Sequence, residues 1–185
     1  MTRTPATPNR AELAAEWFDR MVAWLGRGVA WLCLVMVLMT AVVVILRYFF
    51  DSGWIWMQES VVWMHGLVFM LAAAYTMSLD EHVRVDIFYR RLPPRKRLWI
   101  DTAGVVLLLL PTCGWIVVAA WDYVFASWSV QEASAEAGGL PGLFLLKSVI
   151  LVTPLLLAFE GIALIILGWL RVGETAPRPS GPEAF

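Results

Sequence analysis

GVAWLCLVMVLMTAVVVIL, Gly28 to Leu46, runs nineteen residues without a charge, and its one ionisable side chain is the thiol of Cys33. A helix rises 1.5 Å per residue and a bilayer's hydrocarbon core is about 30 Å thick, so roughly twenty such residues cross it. Three further stretches read the same way. Ser60–Leu79 holds only His65, Thr102–Trp121 is uncharged, and Ser148–Leu170 holds only Glu160. The whole chain is 60% apolar and 16% charged, against roughly 25% charged in soluble domains. In lipid the backbone must satisfy its own hydrogen bonds, so apolar runs of this length form helices. The sequence therefore predicts an all-α membrane protein with four transmembrane helices at about 28–46, 60–79, 102–121 and 148–170. The first run exceeds a signal-peptide core and Val42–Phe50 offers no small-residue cleavage site, so it is expected to be a retained span.

The charges outside the spans give the orientation. Arg3, Arg10, Arg20 and Arg27 precede the first span, and Arg47 alone lies in the first connection. The second, DEHVRVDIFYRRLPPRKR (Asp80–Arg97), carries six Lys and Arg. Asp122–Gly142 carries none, and Arg171 and Arg178 lie in the tail. Short basic segments stay cytoplasmic. Both termini and the Asp80–Arg97 loop are thus expected inside, and the other two connections outside. Trp17, Trp24, Trp99 and Trp169 then fall near one interface. Trp54, Trp56, Trp63, Trp121 and Trp128 fall near the other, as in an aromatic belt. A net charge of −1 gives no support for a nucleic-acid partner.

Before the first span, AELAAEWFDRMVAWLGR (Ala11–Arg27) reads as an amphipathic helix, with Leu13, Trp17, Met21 and Trp24 at helical spacing. Such a helix either lies in the membrane interface or extends the first span into the cytoplasm. Residues 1–10 and 173–185 are polar and Pro-rich, and disorder is expected there. Residues 11–172 form a single membrane domain.

Glu160 is the one carboxylate deep in a span. Its depth, about 18 Å inward from Ser148, differs by about 10 Å from that of His65, so the two are not expected to meet. A structural role is preferred for Glu160, either protonated or bonded to a helix of another subunit. His65 and His82 are too far apart to ligate one haem, and His65 reads as a hydrogen-bonding residue at a helix interface. Cys33 and Cys113 lie within spans and read as free thiols. The sequence has no nucleophile constellation, no metal-spaced cluster and no phosphate loop. Catalytic residues, a metal site and a cofactor are therefore not expected. Nor is there an inverted repeat or polar pore series, the usual marks of a secondary transporter. The chain reads as part of something larger.

Several stretches carry a resemblance. RYFF (Arg47–Phe50) ends the first span and WIWMQE (Trp54–Glu59) opens the second. LAAAYTMSLDEHVRVDIFYRRLPPRKR (Leu71–Arg97) closes it. Together, over about Val29–Leu170, they resemble the small membrane subunit, the DctQ type, of tripartite ATP-independent periplasmic (TRAP) transporters. Gln58 stands where many relatives carry a second acid before Glu59. The resemblance implies a non-catalytic scaffold in the bacterial inner membrane. Its implied partners are a large membrane subunit, which imports an organic acid or similar solute on a sodium gradient, and a periplasmic substrate-binding protein. The alternatives are a free-standing four-span exporter, which would need a carboxylate in Gly28–Leu46, and the anchor of a redox complex.

Residues expected at a subunit interface or in structural polar contacts are Arg47, Gln58, Glu59, His65, His82, Arg84, Asp86, Lys147 and Glu160. Arg47 and Glu59 are expected to pair, with Lys147 close by. His82, Arg84 and Asp86 are expected to order the basic loop. Asp51, Trp54, Trp56, Asp122, Glu132 and Glu136 are expected to dock a binding protein, since interfaces favour Trp and complementary charge.

Overall fold

A computed structural model describes residues 10–79, 89 and 91–175. His82, Arg84 and Asp86, with most of both termini expected to lack order, lie outside the described residues. Those described form helices joined by turns, and four helical stretches are long and apolar enough to cross a membrane.

The first helix, α1 (Arg10–Phe49), is one unbroken rod of 40 residues, about 60 Å long. The amphipathic segment therefore continues the first span and is not a separate interfacial helix. The rod stops where Asp51 takes a positive φ of 47°, which lets the Ser52 N–H reach back to the Leu46 carbonyl at 3.1 Å. After a five-residue turn, α2 (Ile55–Ser78) runs back. Pro94 opens α3 (Pro94–Gly104) at its first turn, where a missing N–H costs nothing. A π-helical turn, Val105–Leu109, then leads into α4 (Leu110–Ser129). Pro111 explains that turn. It has no N–H and its ring crowds the carbonyl four residues back. The helix widens just before it, and the Leu110 N–H bonds the Val105 carbonyl instead. The last helix is α5 (Leu143–Thr175), with Pro154 inside it.

α5 is the hub. It packs on α1, α2 and the whole third span, whereas α1 and α2 pack mainly on each other and on α5. Its span window is 28% buried, against 6% for each of the other three. Glycines permit the close approaches. A side chain on Gly26 would collide with the Tyr75 ring, and a Cβ on Gly161 would lie 2.6 Å from Leu109 and 3.1 Å from Val105. Gly168 meets Leu98 in the same way. Small residues at contacts are the expected solution in lipid, where tails solvate Leu as well as another Leu does and packing must drive association. Three hydroxyls within the spans turn onto their own helix: Thr40 bonds the Met36 carbonyl, Thr76 that of Ala72 and Thr102 that of Leu98. That satisfies them without water.

Candidate functional site

The polar side chains gather where the α1–α2 turn meets the Val130–Gly142 connection, here termed the loop end. The connection starts from a helix stop with a specific geometry. Gln131 adopts φ 47°, its N–H bonds the Trp128 carbonyl at 3.2 Å, and the Glu132 N–H bonds that of Ser127 at 3.0 Å. This is the paired bonding of a Schellman stop, with Gln where Gly is usual. It turns Glu132 back toward α5, where its carboxylate accepts from Lys147 Nζ at 2.5 Å. The Lys147 ammonium also sits 4.2 Å from the centre of the Tyr123 ring. The pair is partly shielded, and the Lys147 bond holds the Glu132 carboxyl below its ordinary range. Beside it, the Trp128 indole N–H donates to the Ser148 hydroxyl at 2.8 Å and its ring packs on Phe144.

The connection then closes on itself. The Ser134 N–H donates to the Leu140 carbonyl at 3.0 Å, and the Gly139 N–H to that of Glu136 at 3.0 Å. Glu59, from the first turns of α2, grips this neck from the side. It accepts from the Ser134 hydroxyl and from the Leu140 N–H, the latter at 2.6 Å. A Cβ on Gly139 would lie 2.5 Å from Ser134 Oγ and 2.7 Å from Glu59 Oε2, so the neck admits only glycine there. Two carboxylates thus clasp one connection, Glu59 from α2 and Glu132 through α5.

This arrangement corrects the expected Arg47–Glu59 pair. Among the described residues no ion pair joins them. Arg47 is exposed on the last turn of α1, while both Glu59 oxygens are taken by the connection. Lys147 pairs with Glu132, not with Glu59. Of the expected docking residues, Asp51, Trp54, Trp56, Asp122 and Glu136 are exposed at the loop end, and Glu132 is tied to Lys147. Gln58 and His65 are exposed on α2, so His65 does not pack inside this chain.

For Glu160, expected to be structural and either protonated or bonded to another subunit, the structure bears on the second alternative. Glu160 is 0% exposed, enclosed by the bundle, and its interactions are made within this chain. It is not open to a helix of another subunit. The adjacent Gly161 touches Met77 of α2 and the π turn, while Gly66 lies against Leu146. His65 and Glu160 therefore lie at different levels, as their depths indicate. Cys113 is buried and Cys33 half-buried, both as thiols.

The sequence reading missed Ser134, Leu140 and Gly139 as partners of Glu59, and Tyr123 and Trp128 beside Lys147. At the opposite, basic end it missed the Tyr89 hydroxyl donating to Asp101 at 2.5 Å, and Arg97 Nε donating to the Leu92 carbonyl at 2.8 Å. GGLPG marks a turn, but no local signal joins residues 59 and 134. No group of three or more His, Cys, Asp and Glu suited to a metal occurs among the described residues.

No curated protein matches the chain. The model of one family, described as "Tripartite ATP-independent periplasmic transporters, DctQ component", matches residues 35–171. That match covers all four spans except the start of the first, together with both clasps of the connection. The chain is a multi-pass membrane protein and belongs to the DctQ component family of TRAP transporters.

Proposed function

We propose that this chain is a non-catalytic scaffold subunit. It packs against a large membrane subunit that imports an organic acid or similar solute, delivered by a periplasmic binding protein and driven by a sodium gradient. The observation that carries this reading is the exposure of the spans. In three of the four, only 6% of the residues of the most apolar stretch are buried, and the polar side chains of the loop end are spent on holding this chain's own connection. A bundle so thin offers no enclosed polar path of its own and a large surface for a partner. The basic loop and both termini face the cytoplasm across the bacterial inner membrane, on the charge asymmetry of the connections. The loop end then faces the periplasm, where Asp51, Trp54, Trp56, Asp122 and Glu136 form part of the binding protein's landing surface. No cofactor enters this reading.

Co-expression with the large subunit tests it. The two chains co-purify, and sodium-driven uptake in proteoliposomes needs both. Uptake by the large subunit alone at the full rate would sink the scaffold role.

A further inference from the structure

Helix α2 packs on α1 and α5, and beyond its first turn its exposed residues fall on one strip. The exposed residues of that strip are Gln58, Val62, His65 and Phe69. At 100° per residue they fall within about 60° of one another. His65 lies inside the span expected at 60–79, about 8 Å from its Ser60 end. Within the four apolar stretches the Cys, His and Glu side chains are Cys33, His65, Cys113 and Glu160, and His65 alone among them is exposed. By contrast, the exposed positions of α5 before Arg171, at Leu145, Val152, Leu155, Phe159 and Ile162, are apolar. The imidazole and the Gln58 amide have no hydrogen-bond partner among the described residues. Thr40, Thr76 and Thr102 turn their hydroxyls onto carbonyls of their own helices, but a His side chain cannot do so.

We infer that the Gln58–Val62–His65–Phe69 strip is the face of α2 that docks a transmembrane helix of the large subunit, one presenting a hydroxyl, amide or carboxylate at the level of His65. The inference rests on the scaffold reading and specifies which surface serves it. Acyl chains carry no group able to bond an imidazole, and an ionisable side chain inside a span is costly unless it meets a polar partner. A second helix supplies that partner, and Val62 and Phe69 on either side supply the packing. From Val62 to Phe69 the strip stands apart from the clasps at the loop end, so altering it there leaves this chain's own fold intact.

The test uses the co-expressed complex, with a photo-crosslinking amino acid placed at Val62, Phe69, Leu107 or Leu155. Val62 and Phe69 give adducts with the large subunit. In parallel, His65→Leu lowers the recovered large subunit about threefold, the size of one interhelical hydrogen bond in a bilayer. His65→Gln, which keeps a hydrogen-bonding group, restores recovery. Adducts from Leu107 or Leu155 but none from Val62 or Phe69 would overturn the assignment of this face and leave the scaffold role standing. Recovery with His65→Leu equal to wild type would overturn the polar contact. Failure of the unaltered chains to co-purify would overturn both the face and the scaffold reading.

Discussion

At the scale of single residues, the clasps of the Val130–Gly142 connection make separable claims. Glu59 accepts two hydrogen bonds from the connection's neck, so Glu59→Ala leaves the Leu140 N–H without its acceptor. Hydrogen exchange at Leu140 is expected to accelerate roughly tenfold or more, as in local opening, while exchange in the middle of α5 stays unchanged. Equal acceleration in both would mean that Glu59 holds the whole bundle. Glu132 gives a pH signature. Its carboxyl titrates below the ordinary 4.5 because the Lys147 ammonium donates to it. A depressed folded value means the stabilisation is complete above pH 4.5 and is lost as pH falls through the lower folded value. The melting temperature of the purified chain should therefore drop on acidification below that point. Glu132→Gln should remove this part of the drop while lowering the neutral-pH melting temperature. An unchanged acid limb in Glu132→Gln would show that the pair does not carry it.

At the scale of the elements, close approach and backbone conformation decide what is tolerated. Gly161 meets the π turn through Val105 and Leu109 at contact distance. Gly161→Leu forces these apart and should cost about 1–3 kcal/mol, the usual range for overpacking. Unfolding in mixed micelles measures it, and Leu109→Ala in the same chain should recover part of the loss. An additive double variant would mean the two sites do not touch. The stop of α4 supports a second test. Gln131 holds φ at 47°, a region that costs a side-chain-bearing residue about 1–2 kcal/mol. Gln131→Gly should be neutral or stabilising. Gln131→Val, β-branched at that φ, should be destabilising and should loosen the Glu132–Lys147 pair with it. Equal stability of the two variants would contradict the left-handed stop.

At the scale of the whole molecule, the predictions concern sides and partners. With Cys33 and Cys113 replaced by Ser, a cysteine at Gly138 should react with a membrane-impermeant maleimide added to intact cells, and one at Arg95 only after lysis. Reversal of that pattern would invert the proposed topology. For binding-protein docking, the informative reversals are now Asp51→Lys and Glu136→Lys, because both residues are exposed. They should slow uptake at limiting binding protein and low salt without altering assembly. Glu132 is unsuitable, since reversing it breaks the Lys147 pair. Unchanged uptake with both reversals would remove those residues from the landing surface.

Chain composition by itself determined the class of this protein. Four apolar stretches of membrane-spanning length, with no more than one carboxylate among them, need no tertiary partner to be read, because lipid imposes internal hydrogen bonding on any segment that crosses it. The order of RYFF, WIWMQE and the Leu71–Arg97 segment was equally legible, and the family match to residues 35–171 agrees with it. What only the tertiary structure decided is who meets whom. An amphipathic pattern is the same for an interfacial helix and for a continued span, and the unbroken α1 separated them. Glu59 and Arg47 lie close in sequence and opposite in charge, yet Glu59 binds Ser134 and Leu140, which are far along the chain. A carboxylate goes to the donors that the fold brings to it, and backbone N–H groups leave no mark in the sequence. The same holds for Glu160, whose complete enclosure follows from the position of α5 among the other helices. Helical periodicity gives the faces of each span, but which face is covered depends on packing between spans. In a bilayer, hydrophobicity cannot make that choice, because every face is apolar and lipid solvates them all alike.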